Sequence, residues 1–258
     1  MTMSAAFLGI AASLLAGAMT GLGGLLVAVS GAPDARRQNL LIGFAAGVMI
    51  AAAFASLILP AFAQLRGGGA SLVAAGISVG IALWLGAAAM AWLGVWTDTL
   101  AARSRFWPAA PDERRIALFV LAITLHNLPE GMAVGLSFMG GDPQLGWGTM
   151  IAIGLQNIPE GLAVAALLAS LGWSRKRCAA AALATGLIEP LGAAFGVTIA
   201  GASAAILPWA LGFAAGAMLF VVAAEIIPHT RRHMAHGSAN PALLAGLTLM
   251  LVLDLSLS

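Results

Sequence analysis

The sequence predicts an all-α membrane protein: eight transmembrane helices in a 3+2+3 inverted-repeat arrangement, forming a single domain over residues 1–258. Three observations predict it: long apolar stretches, basic residues gathered on alternate loops, and a repeated heptapeptide. The composition is 61% hydrophobic and 9% charged with no Tyr, too few charges to cover a soluble domain of this length.

Read at a spanning length of about 20 residues, the apolar stretches are 5–29, 38–65, 71–97, 116–139, 147–171, 178–202, 205–228 and 241–257. The first has no Lys or Arg before it, so it lacks the basic lead of a cleaved signal peptide and reads as a retained helix. With the N-terminus outside, the inward loops hold Arg36, Arg37, Arg103, Arg105, Arg114, Arg115, Arg175, Lys176, Arg177, Arg231 and Arg232, and the outward loops hold only Arg66. This is a strong positive-inside pattern. It places the chain in the cell (inner) membrane as a multi-pass protein with both termini outside the cytoplasm. Topology also accounts for the net charge of +2, with no role for nucleic acid. The single cysteine, Cys178, excludes an internal disulfide and a thiolate metal cage.

Gly43-Phe44-Ala45-Ala46-Gly47-Val48-Met49 in the second stretch reads almost identically to Gly212-Phe213-Ala214-Ala215-Gly216-Ala217-Met218 in the seventh, and the register aligns Ser56 with Glu225. The two stretches cross in opposite directions, which makes the repeat an inverted one. Repeat 1 spans about 5–97, the central pair about 116–171, and repeat 2 about 178–257. Secondary transporters use this plan, with binding at the midplane.

The central pair carries His126-Asn127-Leu128-Pro129-Glu130-Gly131 and, thirty positions on, Gln156-Asn157-Ile158-Pro159-Glu160-Gly161. All Lys and Arg are in loops, so no basic side chain remains to neutralise Glu130, Glu160, Glu189 or Glu225; protons or a bound cation must do so. Residues four apart share a helix face, so His126 projects with Glu130 and Gln156 with Glu160. Asn127 and Asn157 lie about 100° further round, within reach of a second position. Pro129 and Pro159 have no N–H for the carbonyls of Leu125 and Leu155, so each helix kinks at mid-depth. Nitrogen and hard oxygen donors without thiolate suit Zn²⁺, Fe²⁺, Mn²⁺ or Cd²⁺, held loosely enough to leave again.

His-Asn-x-Pro-Glu-Gly, the second Pro-Glu-Gly and Ile188-Glu189-Pro190-Leu191-Gly192 together resemble the ZIP (Zrt/Irt-like) family of divalent metal transporters, in particular its prokaryotic GufA-type branch. The resemblance runs from about Gly43 to the C-terminus. It implies a two-metal transport site at the midplane. The first position takes Met49, His126, Glu130, Gln156 and Glu160, and the second takes Asn127, Asn157 and Glu189, with Glu130 and Glu160 bridging. It further implies an elevator-like motion carrying spans one, four, five and six, and allows for a homodimer. Two features depart from the family pattern. Asn157 stands where some relatives have Asp, and the loop from Ala101 to Arg115 has no histidine. His229, His233 and His236 follow the seventh stretch at helical spacing, and with Glu225 they form a candidate exit or proton site.

The function expected is transport of zinc, iron, manganese or cadmium toward the cytoplasm, with the metal as substrate, the lipid bilayer as partner, no organic cofactor and no enzymatic activity. The alternative is an intramembrane zinc metallohydrolase, against which stands the lack of a His-Glu-x-x-His motif. A carrier of organic cations would need aromatic side chains at the depth of Glu130 and Glu160, and the motif segments have none.

Overall fold

The computed structural model describes residues 3–32, 34–103, 111–203, 205–226 and 239–257, and among these it is helical with no strand. The helices are α1 (Met3–Ser30), α2 (Ala35–Ala52), α3 (Leu59–Gly67), α4 (Leu72–Arg103), α5 (Pro111–Met139), α6 (Pro143–Ser170), α7 (Arg175–Gly186), α8 (Glu189–Ala202), α9 (Leu207–Val221) and α10 (Ala239–Leu257). Each of the eight apolar stretches is mostly helical over its described residues. Among the described residues six segments are long and apolar enough to cross a membrane: Ala5–Ser30, Asn39–Gly67, Leu72–Trp96, Pro143–Ser170, Arg175–Ala202 and Leu207–Ala224. Of the other two, α5 opens on a charged run and carries the His126-Asn127 and Glu130 polar groups, while α10 offers the shorter apolar stretch Pro241–Val252.

Helix ends follow local chemistry. Asp34 caps α2 by accepting from the Arg37 N–H at 2.8 Å, and Asp142 caps α6 by accepting from the Gln144 N–H at 2.9 Å, with Pro143 in the first turn. Gly141 and Gly172, on either side of α6, take φ of +89° and +79°, a region open to glycine at little cost. The sixth stretch, expected as one helix, is interrupted at Leu187 and Ile188, and α8 restarts on Glu189 with Pro190 in its first turn. Proline tolerates that position because it has no N–H to place. The second stretch is interrupted differently: α2 runs into a π-helical turn, Ala53–Ile58, before α3. A second π turn, Val222–Ile226, follows α9 at the equivalent place in the repeated heptapeptide's register.

The helices pack as two groups. One holds α1, α5, α6, α7 and α8; the other holds α2, α3, α4, α9 and α10. The groups meet mainly where α2 lies on α6 and α5 lies on α9. Here α6 is largely enclosed, while α4 exposes Ile77, Ile81, Trp84, Trp92 and Val95, the face expected toward lipid. An apolar cavity of about 380 Å³ lies between the groups, lined by Met90 of α4, Leu128, Pro129 and Met132 of α5, Phe195 of α8 and Phe213 of α9.

Without a water-driven hydrophobic effect between spans, helices associate through close packing of small residues. Glycines make those approaches here, and they do so in matched pairs. A Cβ on Gly47 would strike the Leu243 carbonyl, and one on Gly216 would strike that of Leu83; in return, Gly246 faces the Phe44 carbonyl and Gly86 that of Phe213. Gly131 lies against the Glu189 carbonyl and Gly161 against that of Thr20, while Gly192 meets Leu128 and Gly23 meets Ile158. Gly17 and Gly186 face each other's carbonyls.

Candidate metal centre

Both motif helices stay continuous through their prolines, with Pro129 inside α5 and Pro159 inside α6. Their crossing with α1 and the α7–α8 break brings Asn127, Glu130, Gln156, Asn157, Glu160 and Glu189 into the interior, each at most 4% exposed. The glycines of the two Pro-Glu-Gly segments allow this. Gly131 and Gly161 let neighbouring backbones approach where any side chain would hold the helices apart. The adjacent Glu130 and Glu160 thereby lie at the crossing itself.

Hydrogen bonds fix the amide side chains. The Asn127 Nδ2 donates to the Thr185 carbonyl at 2.7 Å, just before the α7–α8 break. The Asn157 Nδ2 donates to the Ala16 carbonyl of α1 at 2.9 Å and to the Glu189 Oε1 at 2.6 Å. The Gln156 Nε2 donates to the Glu130 Oε1. A backbone carbonyl or a carboxylate can only accept, so each amide must turn its nitrogen toward these partners and its oxygen away.

The remaining atoms are nearly all of one kind. Among the described residues, Asn127 Oδ1, Glu130 Oε2, Gln156 Oε1, Asn157 Oδ1, both Glu160 oxygens and Glu189 Oε2 are buried without a hydrogen-bond partner. These seven oxygens are acceptors on six neighbouring side chains. Buried polar groups ordinarily find partners, and leaving one unsatisfied costs about 1–3 kcal/mol. A shared deficit of donors can be relieved by a cation, which needs only lone pairs. No Lys or Arg among the described residues reaches the carboxylates; the ion pair seen is the exposed Arg37–Asp34 contact at 3.3 Å.

The expected ligands are located as follows. Met49, on α2, is 1% exposed within the main apolar cluster beside Ala46 and Ala53. His126 lies on α5 and Glu225 on the second π turn, but both side chains are outside the described residues, as are His229, His233 and His236. Among the described residues no three His, Cys, Asp or Glu side chains form a ready metal cage. The donor set is instead carboxylate mixed with amide oxygen. Sequence reasoning missed α1, which supplies the Ala16 carbonyl to Asn157 and Gly17 at the centre of the crossing. The signal was present: Gly17-x-x-Thr20-x-x-Gly23 has the spacing of Gly186-x-x-Glu189-x-x-Gly192.

The ZIP zinc transporter family model matches residues 108–254, which take in both motif helices and Glu189. The chain belongs to the ZIP family. It is 42% identical over 253 residues to the zinc transporter GufA of Myxococcus xanthus, covering 96% of this chain and 98% of that protein. It is 44% identical over 251 residues to the zinc transporter ZIPB of Bordetella bronchiseptica, covering 93% of this chain and 78% of that one. Human zinc transporter ZIP11 is 43% identical over 157 residues, 58% of this chain and 46% of its own length. As a ZIP protein with six long apolar helices, the chain is a multi-pass membrane protein.

Proposed function

We propose that the protein carries divalent metal ions, zinc foremost, across the cell membrane toward the cytoplasm through the buried Glu130–Glu160–Glu189 site. The observation that carries this reading is the set of seven unpartnered acceptor oxygens on six adjoining side chains. The zinc transport named for GufA and ZIPB supports it. The metallohydrolase alternative has no such support.

In this reading the chain has eight spans, with α5 and α10 crossing as well, and both termini outside. The spans form an inverted repeat about an axis through the Gly17–Gly186 crossing. The matched glycine approaches support that symmetry, as do the two π turns at equivalent places. Two metal positions share Glu130 and Glu160. The first adds His126, Gln156 and Met49; the second adds Asn127, Asn157 and Glu189. Carboxylate, imidazole and amide donors without thiolate admit zinc, iron, manganese or cadmium and hold none of them tightly. Glu225, His229 and His233 receive the ion or a proton at the cytoplasmic exit.

The site moves as part of the group α1, α5, α6, α7 and α8, sliding against the group that contains α2, α4, α9 and α10. The grouping of contacts supports an elevator-like step, and so does the apolar cavity between the groups, which leaves that interface incompletely filled. Movement of that group would carry the ligands of α5, α6 and α8 together while changing which side they face, and would part them from Met49 on α2.

Asn157 offers a test of the second position. Asn157→Asp loses the donors to the Ala16 carbonyl and Glu189 and sets a second carboxylate beside Glu189. The metal-free variant is expected to melt lower than the native protein. Saturating zinc is expected to raise its melting temperature by more than it raises that of the native chain, because bound ligand stabilises in proportion to RT ln(1 + [L]/Kd). Thermal melts of purified protein with and without zinc check this; an unchanged zinc response would remove Asn157 from the site.

A further inference from the structure

Threonines in membrane-spanning helices ordinarily satisfy their hydroxyl by bonding the carbonyl one turn back. Thr124, Thr149 and Thr198 do so at 2.6–2.8 Å, each to the residue four before it. Thr20 of α1 does not. It is fully buried and its Oγ1 has no hydrogen-bond partner among the described residues. The carbonyl one turn back, that of Ala16, accepts from Asn157.

The surroundings of this hydroxyl repeat those of Glu189. Gly161 packs on the Thr20 carbonyl as Gly131 packs on that of Glu189. Asn157 donates to Ala16, four residues before Thr20, as Asn127 donates to Thr185, four before Glu189. A Cβ on Gly186 would come within 2.6 Å of the Thr20 Oγ1, and one on Gly17 within 3.3 Å of the Glu189 Oε1. Thr20 and Glu189 are thus the two polar tips on opposite sides of the Gly17–Gly186 crossing. Asn127 is bound at the Thr185 carbonyl, next in sequence to Gly186, whose Cβ position meets the Thr20 Oγ1, and its Oδ1 is also without a partner.

We propose that the Thr20 hydroxyl is a further oxygen donor to the transported divalent cation, forming with the Asn127 amide oxygen the uncharged side of the second position, opposite Glu189 and Asn157. A hydroxyl keeps two lone pairs for a cation, and as a hard donor it suits zinc or manganese. Lacking charge, this side holds the ion more weakly than the Glu189 side does. The inference rests on the transport site proposed above.

The test is zinc binding by calorimetry to the purified full-length chain, comparing the native protein with Thr20→Val and Thr20→Ser, together with metal-free melting temperatures. Valine keeps the shape and puts a methyl group in place of the hydroxyl. A hydroxyl with no role is an unsatisfied buried group, so its removal would leave stability equal or higher and zinc binding unchanged. The expected result is zinc affinity about tenfold weaker in Thr20→Val, no loss of metal-free stability, and native affinity in Thr20→Ser. Native affinity in Thr20→Val overturns the assignment, as does equal weakening in Thr20→Ser, which would trace the effect to the methyl group. A native chain that binds no zinc overturns the transport site itself, and the inference falls with it.

Discussion

Glu130→Gln is expected to abolish saturable zinc flux and to leave the metal-free protein at least as resistant to heat as the native chain. The variant keeps an oxygen to accept from Gln156, so the existing hydrogen bond survives. It removes one of three fully buried carboxylates that act on one another through a low-dielectric interior. Without metal these groups are poorly satisfied, and under the proposed function the native sequence retains them to bind the cation. Loss of flux should therefore come without loss of stability, the pattern expected when function holds a site away from its stability optimum. A residue that merely braced the helices would behave in the opposite way, lowering the melting temperature when changed. Melting curves alongside flux assays distinguish the two, with each kcal/mol appearing as a shift of about 2–4 °C in a chain of this size.

Gly131→Ala is the converse case, with the largest expected effect on the fold. Its new Cβ would overlap the Glu189 carbonyl, a backbone atom that cannot rotate aside. Relief requires α5 and α8 to separate, which loosens the crossing that presents Glu130 and Glu189 to each other. Overpacking typically costs about 1–3 kcal/mol and more where backbone must move, so this variant should sit at or above that range and express poorly. Gly76 of α4 supplies the control. It is exposed and has nothing within 4 Å of its Cβ position, so Gly76→Ala should gain up to about 1 kcal/mol from helix propensity alone. Equal tolerance of both substitutions, measured as folded yield and melting temperature, would show that the glycine crossings do not control packing.

Both predictions rest on features of different legibility. Glu130 and Glu160 stood out in the sequence because a carboxylate in a long apolar stretch needs a partner, and none of the basic residues could supply one. Helix positions were readable for the same reason, since apolar runs of this length have few other solutions in lipid. The π turns after Met49 and Met218 were not readable: a single extra residue per turn leaves no mark in composition. The break at Leu187 and Ile188 had one sign in the sequence, Glu189-Pro190 at a helix start, which the uncharged apolar run before it outweighed.

The contribution of α1 was hidden for another reason. Its ligand to Asn157 is a backbone carbonyl, which any residue provides, so no side chain in α1 advertised the contact. Only the spacing of Gly17, Thr20 and Gly23 against Gly186, Glu189 and Gly192 carried the information. Likewise Asn127 and Asn157 read as ligands by position, whereas the structure adds that their nitrogens are held by protein carbonyls. That arrangement decides which atom of each amide remains for a cation.

The most direct test of the central claim is time-resolved zinc uptake into proteoliposomes carrying an internal metal dye, comparing the native chain with Glu130→Ala. The account predicts saturable uptake by the native protein and none above empty vesicles for the variant. Undiminished uptake in Glu130→Ala, or no uptake by a native chain that still binds zinc, would contradict it.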